Sequence, residues 1–103
     1  MQAVADRMIT LLDRLEPEGN LNNKIERLVE GELQRRLTRY ELTDRQLSRK
    51  YSCGFAEFKR NHRVAQAGYT FEVESDFWDW EMALDGIATS QEMLGTLAVK
   101  RDS

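Results

Sequence analysis

The hydrophobic pattern changes period once within GYTFEVESDFWDWEMALDGIATSQEMLGTL (residues 68–97), and that switch constrains the fold more than any other feature of the chain. From Tyr69 to Glu74 the residues alternate. Tyr69, Phe71 and Val73 fall on one side and Thr70, Glu72 and Glu74 on the other, which predicts a short half-exposed β-strand. After Ser75 the spacing is helical: Phe77, Trp80, Leu84, Ile87, Gln91, Leu94 and Ala98 recur every three or four residues, as along a coiled-coil seam. Ser75 or Asp76 is placed to cap this helix, and Thr89 with Glu92 forms a second capping pair at which it could break. Both tryptophans, two of the four phenylalanines and one of the three tyrosines lie between Tyr69 and Trp80. Such a concentration of aromatic side chains reads as an interface, with Tyr69, Phe71, Val73, Phe77, Trp78, Trp80, Leu84 and Ile87 as its partner-binding residues. No other stretch alternates well enough to pair with the predicted strand, so its partner is expected outside the chain.

The remainder reads as helix. Val4, Met8, Leu11 and Leu15 share one face of a predicted helix over residues 3–16, stopped by Pro17, the single proline. Asn20 or Asn22 can cap a second helix, whose stripe of Leu21, Ile25, Leu28 or Val29, Leu33, Leu37 and Tyr40 runs to about residue 42. The short turn between them predicts an antiparallel helical hairpin. Gly31, inside the second helix, marks either a close helix approach or nothing.

Thr43 and Gln46 form a capping pair that either starts a new helix or only relieves the long one. Ser52, Cys53 and Gly54 then interrupt the pattern, and Phe55 to Arg63 reads as a short helix with Phe55 and Phe58 inward. Residues 43–63 thus have the outline of a helix-turn-helix whose cations Arg49, Lys50, Lys59, Arg60 and Arg63 could meet nucleic acid. The expected whole is mainly α: one small domain over 1–103, with a helical hairpin (1–42), a basic segment (43–63), and a strand followed by an acidic C-terminal helix (68–99).

Charge divides along the same lines. Residues 1–34 carry four bases and seven acids, 35–63 nine and three, and 64–99 none and seven. A charged fraction of 32% in 103 residues leaves little material for a private core, so a homo-oligomer or another protein partner is expected. The single cysteine, Cys53, cannot form an intrachain disulfide, and no signal-peptide or membrane-spanning pattern occurs. A cytoplasmic setting is the expectation.

Chemistry-bearing motifs are absent. His62 and Cys53 do not stand in metal-ligand spacing with the acids of DFWDWE, and neither a phosphate-binding glycine loop nor a nucleophile motif occurs. The expectation is a non-enzymatic chain without metal or cofactor.

LTDRQLSRKYSCGFAEFKRN and GYTFEVESDFWDWEMALDGI together resemble a group of small prokaryotic proteins with a KYGMSFEEF-like segment followed by a YSFEVESDYWDWE-like one. The resemblance covers about residues 35–100. It is carried by Leu47, Lys50, Tyr51, Phe55, Glu57, Phe58, Gly68, Tyr69, Phe71 to Phe77 and Asp79 to Glu81. The chain departs from it at Ser52, Cys53 and Gly54, where the group shows Gly-Met-Ser, and at Trp78. It implies an antitoxin-like protein that binds and masks a small toxin. A DNA-binding module using residues 43–63 and a homodimeric helical scaffold are the alternatives.

Overall fold

The computed structural model describes residues 2–61, 63–66 and 68–102, with side chains at 5–61, 65, 66 and 68–99. Five helical segments follow one another: α1 (Gln2–Leu15), α2 (Leu21–Tyr51), α3 (Phe55–Arg60), α4 (Arg63–Gln66) and α5 (Phe71–Asp102). No strand occurs among the described residues.

The predicted strand is instead a sharp turn at Tyr69, a cap at Thr70 and, from Phe71 on, the first turn of α5. Gly68 and Tyr69 take left-handed backbone angles (φ 75° and 56°), which turn the chain sharply. Thr70 then caps the helix, its Oγ1 accepting the Val73 N–H at 3.4 Å and its carbonyl accepting the Glu74 N–H at 3.0 Å. Glu72 and Glu74 sit in the first turn, where carboxylates meet the positive end of the helix dipole. The alternation of Tyr69, Phe71 and Val73 therefore loses to a second pattern that shares Val73. Val73, Asp76, Trp80, Ala83, Ile87, Ser90, Leu94 and Leu97 recur at three and four, and all are buried or half-buried. Compared with the expected seam, Gln91 and Ala98 are exposed and Ala83 and Ser90 take the inner positions. Neither Ser75 nor Asp76 caps the helix, and it runs unbroken through Thr89.

α2 shows the matching register. Leu33, Leu37, Tyr40, Asp44, Leu47 and Tyr51 repeat at four and three, and each is buried or half-buried. The two long helices pack antiparallel along these seams: Lys50 meets Asp76, Asp44 meets Trp80, and Tyr40 meets Gly86. Of the two candidate caps, Asn20 and Asn22, it is Asn20 that caps α2, its Oδ1 accepting the Asn23 N–H at 2.9 Å. Thr43 starts no new helix; its hydroxyl donates back to the Arg39 carbonyl at 3.2 Å. Gly31 makes no close approach, since a Cβ there would meet only the end of the Arg35 side chain.

The glycine turn after α2 is a serine turn. Ser52 takes the left-handed C-cap (φ 56°), and Gly54, with an ordinary φ of −81°, becomes the N-cap of α3. α3 ends at Arg60, short of the predicted Arg63, which opens α4 instead. His62 lies outside the described residues.

α1 is tied to the start of α2 by the Lys24–Asp13 ion pair, by Arg27–Glu16 at 3.4 Å, and by the buried Leu12. Its main apolar stripe faces away from α2, with Met8, Leu11 and Leu15 each at least half exposed. Val4 belongs to that stripe in the sequence; its side chain lies outside the described residues. The result is an elongated molecule of 57 × 31 × 21 Å. Its radius of gyration of 19.5 Å compares with about 13 Å for a compact chain of this length.

Candidate functional site

The end of the molecule where α2, α3 and the start of α5 meet holds nearly all the residues that carry the resemblance. Leu47, Phe58 and Trp80 form the buried centre, and Tyr51, Cys53, Phe55, Val73, Phe77 and Leu84 close around them. The rings interlock. Phe55, Phe58 and Phe77 stand 5.2–6.4 Å from one another or from Trp80, and Tyr51 meets Phe58 edge-on at 4.7 Å. α3 is short because its role in this cluster is to deliver two rings, Phe55 and Phe58, onto α5.

Polar groups fasten the cluster from two sides. The indole N–H of Trp80 donates to Asp44 Oδ1 at 2.8 Å, which satisfies the one polar atom of a fully buried side chain. On the other side, Lys50 Nζ bridges Glu72 Oε1 and Asp76 Oδ2 at 2.6 Å each, and the Tyr51 hydroxyl donates to the same Asp76 oxygen at 2.5 Å. Sequence reasoning missed both carboxylates. The signal was present: Asp44 and Asp76 occupy seam positions of α2 and α5, where an unpaired acid would be costly and a paired one fixes register.

This network holds protons in place and activates none of them. Burial pushes the Tyr51 hydroxyl up to about 12, and its bond to Asp76 adds to the shift. Burial also pushes the Asp76 carboxyl upward, but the bonds from Lys50 and Tyr51 outweigh it and leave the group below its ordinary value. Lys50 is raised by its bonds to Asp76 and then Glu72. A tyrosine that resists ionisation and a carboxylate that resists protonation are the reverse of what proton transfer near neutrality requires. Among the described residues no three His, Cys, Asp or Glu side chains group so as to hold a metal ion.

The shifts fix a pH dependence of stability. Asp76 is depressed, so its contribution is present above its ordinary value of 3.8 and fades as acid is added below it. Tyr51 is raised, so its contribution is full below pH 10.0 and disappears as pH climbs toward about 12. Lys50 acts in the same alkaline direction, its contribution being full below 10.5. Urea midpoints are therefore expected to hold through neutrality and fall above pH 10, and Asp76→Asn should lower the neutral midpoint and shrink the alkaline fall. An Asp76→Asn variant with the wild-type difference between pH 7 and pH 11 would show that the network does not couple α2 to α5.

The sequence-predicted partner-binding residues separate into two groups. Trp80, Phe77, Val73 and Leu84 are spent on the intramolecular cluster, and Ile87 is half-buried on the α5 seam. Tyr69, Phe71 and Trp78 remain outside, with Phe71 at 87% exposure and Trp78 at 61%. The predicted nucleic-acid residues are also dispersed in role. Lys50 is held by two carboxylates, Lys59 lies over the Phe55 ring at 5.4 Å, and Arg49 and Arg60 are exposed. The side chain of Arg63 lies outside the described residues. No family model, curated protein or solved structure matches the chain. No described helix is long and apolar enough to cross a membrane.

Proposed function

We propose that this chain is a non-enzymatic protein-interaction module that captures a basic partner protein, in the antitoxin-like manner its sequence resemblance implies. One observation carries the reading. Phe71, Tyr69 and Trp78 stand exposed at the start of a helix whose segment, residues 64–99, has seven acids and no lysine or arginine. Large rings on a rigid element lose little entropy when a partner covers them, and carboxylates around them steer a basic surface into place. A small cationic toxin is the partner of that description. Phe71 and Trp78 belong to a helix and Tyr69 to the turn before it, so capture proceeds through side chains and not through strand pairing.

The direct test is co-expression of the tagged chain with the product of the adjoining reading frame. The wild-type chain should retain that product through purification and relieve any growth arrest it causes. Phe71→Ala combined with Trp78→Ala should weaken capture by on the order of a hundredfold, since two anchors of about 1–2 kcal/mol each are lost. Helix content should not change, because neither ring belongs to the core. Wild-type capture by the double variant would end this reading.

A further inference from the structure

We propose that α1 of a second copy lies in the groove between α2 and α5, reciprocally, so that the chain forms a two-fold dimer. The groove is floored by Tyr40 and Gly86, with Leu33 and Ser90 beside them. Its α5 rim is Met82 and Met93, both about half exposed or more. Methionine side chains on such a rim adapt to whatever apolar surface fills it. An antiparallel pair of helices with an apolar groove along one side takes a third amphipathic helix readily.

The occupant is identified by matching spacing and charge. α1 presents Met8, Leu11 and Leu15 to solvent at the three-and-four spacing of a coiled-coil seam, and Leu15 is 67% exposed. Arg7 and Arg14, seven residues apart, flank that stripe on one side. On α5, Asp85 and Glu92, also seven residues apart, flank Met82 and Met93. Two turns of helix separate the members of each pair, about 10 Å, so both arginines can face both carboxylates at once. None of these four side chains forms an ion pair among the described residues, whereas the other cation on the groove, Arg36, is already held by Glu32 at 2.9 Å. The chain's own α1 does not fill the groove, because Leu12, Asp13 and Glu16 hold it to the start of α2 with the Met8–Leu15 stripe turned outward.

The area agrees. The chain exposes 7750 Å², against about 6000 Å² for a compact monomer of its mass. The excess is about twice the roughly 800 Å² that each partner of a stable interface covers. Reciprocal docking uses the excess twice, once through α1 and once through the groove, and closes the assembly without leaving an open end.

Sedimentation of the full chain from micromolar to hundreds of micromolar concentration tests this. The expected species has twice the 12.0 kDa mass of one chain. Leu11→Glu should shift it to monomer without loss of helix content, as Leu11 is half exposed. Arg7→Glu combined with Arg14→Glu, and Asp85→Arg combined with Glu92→Arg, should each weaken the dimer by about tenfold or more, since each double variant sets like charges against each other whichever way α1 runs along α5. Mixing these two variants should restore a heterodimer, in which one interface is charge-reversed and the other is wild type. A monodisperse 12.0 kDa species at every concentration overturns the proposal. So does a dimer indifferent to Leu11→Glu, or one that the mixture fails to restore. Phe71 and Trp78 are not part of this contact, so partner capture and dimerisation can each fail while the other stands.

Discussion

Trp80→Ala is expected to leave the chain without a cooperative thermal transition. Trp80 is fully buried, and with Phe58 it is one of two large side chains among the described residues that solvent does not reach at all. Truncating a buried tryptophan costs about 3–5 kcal/mol, and the total stability of a domain this size is roughly 5–15 kcal/mol. The buried apolar set among the described residues is short: Leu12, Leu33, Leu47, Phe58, Trp80 and Ala83. With so little redundancy the lower part of that range applies. The cavity would also open at the point where α2, α3 and α5 meet, and Asp44 would lose the indole N–H it accepts at 2.8 Å. Trp80→Phe separates the two effects, since it retains most of the apolar volume and removes the hydrogen bond, at about 1–2 kcal/mol. Far-ultraviolet circular dichroism during a thermal ramp is the measurement. A Trp80→Ala protein that melts cooperatively within a few degrees of wild type would show that the aromatic cluster is not what holds the three helices together.

The helices of this fold were legible in the sequence where pattern and punctuation agreed. Pro17 stops α1 and Asn20 caps α2, and both boundaries fall where those residues put them. The stretch from Tyr69 to Glu74 misleads because six alternating residues satisfy a strand template while only Val73, the first member of the longer helical series, lies in the same segment. Val73 decides between them: it is four residues before Phe77 and seven before Trp80, so it has partners in a helix and none in a strand. A short alternation next to a long helical pattern is weak for that physical reason, as the helix can absorb it at the cost of exposing Phe71. The exposure of Phe71 is what remains of that compromise.

The candidate site divides the same way. A cluster of rings can be read from composition, but composition does not say which rings face inward. Trp78 and Trp80 are neighbours in sequence and opposite in fate, one 61% exposed and the other at 0%. Their separation by two positions on a helix, about 200°, fixes that outcome once the seam is known. The expected seam passes through Phe77, Leu84, Gln91 and Ala98, whereas the continuous inner series runs one residue earlier at each, through Asp76, the small Ala83 and Ser90, and Leu97. Close packing of α5 on α2 prefers small side chains there, a tertiary demand that hydropathy does not report.

Gly86→Ala is the substitution in which that demand should be most visible. Judged as a helix residue, alanine is better than glycine by about 1 kcal/mol, and Gly86 lies in the interior of a 32-residue helix. Judged by its neighbours, it is worse. A Cβ at this position would stand 2.4–2.6 Å from three ring atoms of Tyr40, well inside contact distance, so the ring or the helix must move. Overpacking of this kind costs about 1–3 kcal/mol, and Tyr40 is a stiff ring with two side-chain torsions that sits on the α2 seam, which puts the cost toward the upper end. The net expectation is a loss of about 1–2 kcal/mol for Gly86→Ala, and more for Gly86→Val, which adds a β-branched side chain to the same clash. The sign should reverse when the ring is removed: in a Tyr40→Ala background, Gly86→Ala should stabilise by about 1 kcal/mol. Urea unfolding of the four proteins forms a double-mutant cycle whose coupling should be about 2–3 kcal/mol. A Gly86→Ala protein more stable than wild type, or a coupling near zero, would mean that α2 and α5 do not meet at Tyr40 and Gly86. The antiparallel register, and with it the groove floored by those two residues, would then have to be redrawn.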